Sequence, residues 1–237
     1  MPARPGAAAP VRMLWLPGAY HSHRDFLEAG YAEPVRALGL DIDLVFIDLA
    51  MDHLGDRSLI GWLRAGHVAA ARAAGVELWL CGISLGGLFA LDYAASHPGE
   101  VDGLCLLAPY LGNRMLTAEI AARGGLGGWR PGELAESDVE RRIWRYVKGR
   151  RSPGTSTPPP RESAQPGERE PSDRGGAEAL HLGYGRDDRF SPSHSLLAAA
   201  LPPDCVDVID GGHEWGTWRR LWGRFLERRT NAHGSRG

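Results

Sequence analysis

The sequence predicts a doubly wound α/β domain built on a mostly parallel, six-stranded sheet, and three observations predict it. Short, nearly continuous apolar runs, the pattern of strands buried on both faces, alternate with longer segments of helical periodicity. Gly- and Pro-containing stops, such as Ala73-Ala74-Gly75 and His97-Pro98-Gly99, separate helix from strand. The chain has 237 residues and is 43% hydrophobic, enough for one such domain and short for two.

The strands fall at 11–16 (VRMLWL), 41–47 (DIDLVFI), 76–81 (VELWLC), 101–107 (VDGLCLL), 179–184 (ALHLGY) and 205–209 (CVDVI). Helical periodicity fills 25–38, 57–74, 85–96, 192–200 and 215–228. One region breaks the rhythm. Residues 150–176 are rich in Pro, Gly, Ser and charge with almost no apolar residue, so the sequence predicts a disordered tether there. The stretch before it, 111–149, reads as a small insertion carrying helical segments within 118–148, with Ile143, Trp144 and Val147 available to pack on the body. It could serve as a partial lid or as a spacer. The whole of 1–237 is read as a single domain, and no internal repeat is found.

A formal net charge of −2 argues against a nucleic-acid partner and favours small neutral or weakly charged ones. The apolar stretch near the N-terminus, 11–16, is too short for a secretion signal, and no apolar run approaches membrane-spanning length. Cys81, Cys105 and Cys205 each lie in an apolar, strand-like run and read as buried thiols in a reducing compartment. The expectation is a cytoplasmic protein without a membrane partner.

Chemistry gathers at the strand exits, where loops diverge and helix N-termini point inward in open parallel sheets. The third strand runs into Gly82-Ile83-Ser84-Leu85-Gly86, and helical periodicity resumes at Leu85. Ser84 therefore occupies a strand-to-helix turn with small residues on both sides, the G-x-S-x-G arrangement of an exposed nucleophile. The pattern alone arises roughly 0.2 times by chance in a chain of this composition, and Ser84 as a simple helix N-cap is the bland alternative. Context separates the two. A serine hydroxyl needs a base, and imidazole titrates near neutral pH. His213 follows the sixth strand, with Gly211 and Gly212 free to turn the loop. Asp188 follows the fifth strand and could hold the imidazole's tautomer.

The order Ser84, Asp188, His213 and the strand contexts resemble the α/β-hydrolase superfamily over nearly the whole chain apart from 150–176. In "GYGRDDRFSP" the acid stands three residues after Gly and four before Pro, a spacing that selects Asp188 over Asp187. "GGHEWGTW" resembles the segment around the catalytic histidine of esterase subgroups that include feruloyl and siderophore esterases. The resemblance implies cofactor-free ester or thioester hydrolysis through an acyl-enzyme, on a sheet lacking the family's N-terminal antiparallel hairpin. It also implies two backbone donors to the oxyanion, one at Leu85 and one in the loop after the first strand. That loop reads Pro17-Gly18 where the family usually has His-Gly. Ala19 is the expected second donor, with Tyr20 as the alternative.

Tyr20 and Trp215 are the candidate substrate contacts, although Trp215, Trp218 and Trp222 have the spacing of core packing on the last helix. His21 and His23 share one loop without a third ligand at recognisable spacing, so no metal site is expected; they border the entrance or face solvent. Arg141, Arg142, Arg145, Arg150 and Arg151 read as a solvated face. Acyltransferase or peptidase activity would use the same apparatus, and a non-catalytic binding protein or a scaffold would keep only the fold.

Overall fold

The computed structural model describes residues 10–49, 58–150 and 178–234; the predicted tether therefore lies outside the described residues, apart from Arg150. Strands β1 (Val11–Leu16), β2 (Ile42–Phe46), β3 (Glu77–Ile83), β4 (Gly103–Leu107), β5 (Ala179–Gly185) and β6 (Val206–Ile209) form one sheet in the order β2-β1-β3-β4-β5-β6. Every pairing is parallel, so the sheet is wholly rather than mostly parallel. Each crossover must then pass over a face of the sheet, and the chain covers both faces.

Strand alternation divides the core in two. Leu14, Leu16, Leu80, Leu104, Leu106 and Leu182 face one side. They pack beneath α3 (Ser58–Leu63), a π-helical turn at Arg64–Val68, α4 (Ala69–Ala73), α5 (Leu85–Ser96), α6 (Arg114–Ala122), α7 (Val139–Arg150) and α8 (Ser191–Ala198). Met13, Trp15, Trp79, Cys81, Ile83, Cys105 and Leu107 face the other, against α1 (His23–Glu28), α2 (Ala32–Ala37) and α9 (Trp215–Gly234). Ile143, Trp144 and Val147 of α7 are buried in the first cluster, and the Trp144 indole donates to the Leu111 carbonyl. The insertion is thus packed onto the body. Arg142 reaches the buried Asp92 of α5, and Arg141 and Arg150 pair with Glu119 and Glu178. Arg142 ties the insertion to α5, Arg150 ties the end of α7 to the approach to β5, and Arg141 joins α7 to α6, so these three do not form a solvated face; Arg145 is exposed as expected, and Arg151 lies outside the described residues.

The structure corrects several expected elements. The helix at 25–38 is two short helices, because Gly30 takes a left-handed φ of 72° and the chain turns there. The helix at 57–74 is interrupted by the π turn, and its first residue is outside the described set. Within 118–148 helix is confined to α6 and α7, with 123–138 non-helical. Cys205 ends a 3₁₀ turn (Pro203–Cys205) and is half-exposed, whereas Cys81 and Cys105 are buried as expected.

The chain reverses direction at β1, since β2 lies on one side of it and β3 on the other. Loops leaving β1 and β3 go to opposite sides of that switch point, at the carboxyl edge where open parallel sheets bind ligands.

Candidate active site

Ser84 lies directly beyond β3 with φ 51° and ψ −115°, a backbone region that L-residues avoid and that persists only where its surroundings enforce it. They do so here. A Cβ on Gly82 would lie 2.3 Å from the Gly86 carbonyl carbon, and one on Gly86 would lie 2.1 Å from the Leu16 carbonyl oxygen. Only glycine at both places lets α5 begin this close to β3 and β1. The Ser84 N–H donates to Leu107 O (3.1 Å), and its carbonyl accepts from Tyr110 N (2.8 Å) and Gly87 N (3.0 Å). The hydroxyl makes no hydrogen bond to the α5 amides, so it does not act as a helix cap. It lies instead 2.9 Å from His213 Nε2.

His213 stands on the loop between β6 and α9. Gly211, with φ 133°, sits where a Cβ would meet Thr217 Oγ1 at 2.2 Å; the loop can make this bend only with glycine. The rings of Phe190 and Trp218 stand edge-on to the imidazole at centroid distances of 5.1 and 5.0 Å. They limit its rotation. Its Nδ1 is 2.7 Å from Asp188 Oδ2, and Asp188 Oδ1 accepts from the Phe190 N–H at 2.8 Å.

The Asp188 side chain is fully buried and that of His213 is 11% exposed. Burial pushes the Asp188 carboxyl up, but the hydrogen bonds from His213 and the Phe190 amide, with the neighbouring imidazole charge, outweigh it and hold the group below its ordinary value. The carboxylate is therefore ionised at neutral pH and selects the tautomer with hydrogen on Nδ1, leaving the Nε2 lone pair for the Ser84 O–H. Asp187 is exposed; its contribution is a backbone N–H to Gly211 O (3.0 Å) that joins the two loops.

The β1 exit forms the opposite wall. A turn at 18–21 closes with His21 N–H donating to Gly18 O (3.2 Å), and Tyr20 takes φ 65° within it. A Cβ at Gly18 would lie 3.4 Å from Ser84 Cβ and 3.6 Å from Ile83 O, so this turn runs directly beside the serine. Leu85 is the first residue of α5, where the amide has no intrahelical acceptor. Ala19 is exposed, and the Tyr20 ring is 95% exposed. Trp215 is half-buried, packed edge-on to Phe26, Tyr31, His21 and Trp218, and behind it Trp218 and Trp222 are core residues. His21 and His23 do not converge: His23 Nδ1 pairs with Asp48 (2.5 Å), while His21 lies against Trp215. Among the described residues no cluster of three metal-ligating side chains occurs.

Solved structures share this arrangement of elements. The chain superposes on fluorophosphonate-binding serine hydrolase F of Staphylococcus aureus over 92% of its length and 83% of that chain, with a TM-score of 0.60 and 8% identity. The S-formylglutathione hydrolase of Staphylococcus aureus gives 93% and 81%, TM-score 0.56 and 10% identity. A Paleococcus ferrophilus monoacylglycerol lipase gives 93% and 95%, TM-score 0.53 and 16% identity. The chain has the α/β-hydrolase fold. No family model matches the sequence, and no curated protein sequence does.

In this α/β-hydrolase fold three residues near Ser84 escape sequence reasoning. Tyr110 anchors the serine's carbonyl through its own amide. Phe190 supplies both the amide on Asp188 and the ring on His213. His194, on α8, is wholly buried: its Nε2 is 2.9 Å from Pro109 O, its ring is 5.0 Å from Tyr184, and burial pushes it down to about 4. It is a neutral wall behind the acid. Its one sequence signal is a histidine six residues after Asp188, in the first turn of α8, which is too general to act on. Among the described residues no helix is long and apolar enough to cross a membrane.

Proposed function

We propose that the protein is a serine hydrolase that cleaves a carboxylic ester or thioester of a small molecule through an acyl-enzyme. The observation that carries this reading is the unbroken hydrogen-bonded chain from Ser84 Oγ through His213 to Asp188, mounted on a strained turn that keeps the hydroxyl away from the helix it precedes. The fold supports it as a scaffold on which the neighbours named above are hydrolases and a lipase, although fold alone does not decide function.

In the proposed reaction Ser84 Oγ attacks the acyl carbon as its proton passes to His213 Nε2. Asp188 stabilises the imidazolium through Nδ1. The negative charge on the carbonyl oxygen is held by the Leu85 N–H, with the Ala19 N–H as second donor and Tyr20 as alternative. When the tetrahedral intermediate collapses, the bond to the leaving alcohol or thiol breaks and His213 returns the proton to it. Water then repeats the sequence on the acyl-serine, releasing the acid and restoring Ser84. Every charge change falls on groups already present, so the cycle uses no cofactor. We assign Tyr20, exposed on the β1-exit turn, and the half-buried Trp215 to the substrate. A carboxylesterase-type enzyme is the finer form of this proposal.

Treatment with a fluorophosphonate probe followed by peptide mass spectrometry tests it. The adduct is expected on Ser84, and Ser84→Ala should lose labelling and about 10³- to 10⁶-fold in turnover on a short-chain nitrophenyl ester while keeping its circular dichroism. Labelling of a different serine, or no labelling of the wild type, would overturn the assignment.

A further inference from the structure

The peptide unit between Pro109 and Tyr110 is held at both ends. Its carbonyl oxygen lies 2.9 Å from His194 Nε2, and its N–H, on Tyr110, donates to the Ser84 carbonyl at 2.8 Å. The Ser84 carbonyl belongs in turn to the peptide unit whose N–H is that of Leu85, the donor assigned to the oxyanion. A peptide unit is planar and trans, with its C=O and N–H directed to opposite sides, so whatever holds the carbonyl also aims the amide. Donors and peptide units thus run head to tail. His194 Nε2–H gives to Pro109 O, Tyr110 N–H gives to Ser84 O, and Leu85 N–H, at the first residue of α5, has no acceptor within the helix.

The surroundings hold the middle of this relay in place. Ala108 is buried with φ 47°, a conformation that a residue with a Cβ keeps only under constraint. A Cβ on Gly87 would lie 2.6 Å from Pro109 Cβ, so the turn after β4 packs directly on the first turn of α5. His194 is wholly buried, and its Nδ1 has no hydrogen-bond partner among the described residues. A carbonyl oxygen can only accept, so the ring carries its hydrogen on Nε2. A residue that merely filled space would leave no such orphaned nitrogen, whose burial is a cost.

We infer that His194 is a positioning residue which, through the 109–110 and 84–85 peptide units, aims and polarises the Leu85 N–H for the oxyanion. This rests on the ester-hydrolase reading given above. Hydrogen bonds in a chain polarise one another, so the imidazole N–H at one end makes the amide at the other a stronger donor. Its effect grows with the charge on the oxygen and falls on turnover more than on substrate binding. The acid side of the site then serves both halves of the reaction: Asp188 holds the imidazole of His213, and α8, the helix that follows it, steadies the oxyanion donor.

The test compares His194→Phe, which keeps a buried ring without a donor, with His194→Gln, whose amide nitrogen can occupy the place of Nε2. Wild type and variants are measured for kcat and KM on a short-chain nitrophenyl ester, for Tm, and for inhibition by an alkyl trifluoromethyl ketone. Ser84 Oγ adds to the carbonyl carbon of that ketone as its proton passes to His213, and the adduct carries an oxyanion like that of the reaction. His194→Phe is expected to lose about tenfold in kcat, part of the roughly 10²- to 10³-fold that removing an oxyanion donor costs. KM should change less than about threefold, ketone affinity should fall in step with kcat, and His194→Gln should stay within about threefold of wild type in both. A His194→Phe enzyme within about threefold of wild type in kcat overturns the inference. So does an equal loss in both variants, or a loss of kcat that ketone affinity does not follow; either would mark the ring as packing. If His194→Phe does not fold, His194→Asn takes its place, because its shorter amide leaves the Pro109 carbonyl without a donor. In the wild type itself, hydrogen on Nδ1 of His194, read from imidazole nitrogen NMR shifts, overturns the inference without any variant. Wild-type protein that neither reacts with a fluorophosphonate nor hydrolyses esters overturns the ester-hydrolase reading, whereas active wild type indifferent to His194 removes this inference alone.

Discussion

Strands β5 and β6 carry a histidine–aspartate pair at each end, and the two pairs differ in what surrounds them. Toward the amino ends, His181 Nε2 is 3.5 Å from Asp207 Oδ2. The Asp207 carboxylate is already held by Arg224 (3.0 Å) and Arg228 (2.7 Å) from α9, and the His181 ring packs on Phe225 at 4.8 Å. Burial pushes His181 down to about 4, so it is neutral, and among the described residues its Nε2 has no hydrogen-bond partner. At the carboxyl ends, Asp188 is met by no guanidinium among the described residues; it has one backbone amide and one imidazole, at 2.8 and 2.7 Å, and the far nitrogen of that imidazole meets Ser84. Nearness of histidine to aspartate is thus not what separates the two pairs. What counts is whether the carboxylate's charge is left for the imidazole, and whether something with a proton to give stands on the other side.

The contrast breaks most sharply at Asp188. Asp188→Asn keeps the shape of the carboxylate but favours the wrong imidazole tautomer, a change that costs about 10⁴-fold in turnover in the protease triad. We expect a loss of that order in nitrophenyl ester hydrolysis with unaltered circular dichroism. Near-normal turnover would mean that His213 takes its orientation from another group.

Asp207→Asn should do the opposite, lowering stability while sparing the chemistry. It leaves Arg224 and Arg228 without their carboxylate, but both are about half exposed to solvent, so water recovers part of the loss. The expected cost is about 1–3 kcal/mol, read from urea melts, with kcat within twofold of wild type. A large fall in kcat at full folding would show that the lower pair communicates with the upper.

The lower pair also predicts a pH dependence. His181 has a folded-state pKa near 4 against about 6.5 when unfolded, so the unfolded chain binds more protons between those values. Its contribution to stability is complete above pH 6.5 and is lost as pH falls towards 4. His194, pushed the same way by burial, adds a second contribution of the same sign. Removing one of them, as in His181→Gln, should reduce the fall in unfolding free energy between pH 6.5 and 4 by an amount on the order of 2 kcal/mol, read from urea melts at each pH. An unchanged slope would place the proton uptake elsewhere.

Asp187→Asn is the smallest change and the control. Its side chain is exposed and its part in the loop is played by the backbone amide, so stability should stay within roughly 0.5 kcal/mol and turnover near wild type. A loss rivalling that of Asp188→Asn would reverse the assignment of the acid.

The strands were legible because burial on both faces writes itself as uninterrupted apolar sequence, and Ser84 stood out because a hydroxyl between glycines at the end of such a run has few purposes. The exits holding Asp188 and His213 could be found by the same route. Contacts across the fold could not. Gly30 sits within a helical pattern, and nothing local says that it takes a left-handed φ and splits α1 from α2. The partners of Arg141, Arg142 and Arg150 come from α5, α6 and the approach to β5, so a cluster of charge looked like a solvated face. Cys205 was placed by an apolar run, but the neighbouring prolines start a 3₁₀ turn and lift it toward the surface. Tyr110, Phe190 and His194 act through an amide, a ring edge and a buried nitrogen, none of which has a sequence pattern of its own.

The Ser84 carbonyl accepts from Tyr110 N–H, the Tyr110 hydroxyl reaches Glu140 of α7 (3.2 Å), and the same carboxylate receives the Asn113 amide and side chain (3.1 and 2.6 Å). The strained turn is therefore braced from the insertion side by a single carboxylate. For anyone redesigning this protein, the exposed Arg145 is the part of α7 open to recoding, whereas Glu140, Arg142, Ile143, Trp144 and Val147 support the turn at Ser84 and Arg141 and Arg150 hold the helix to its neighbours.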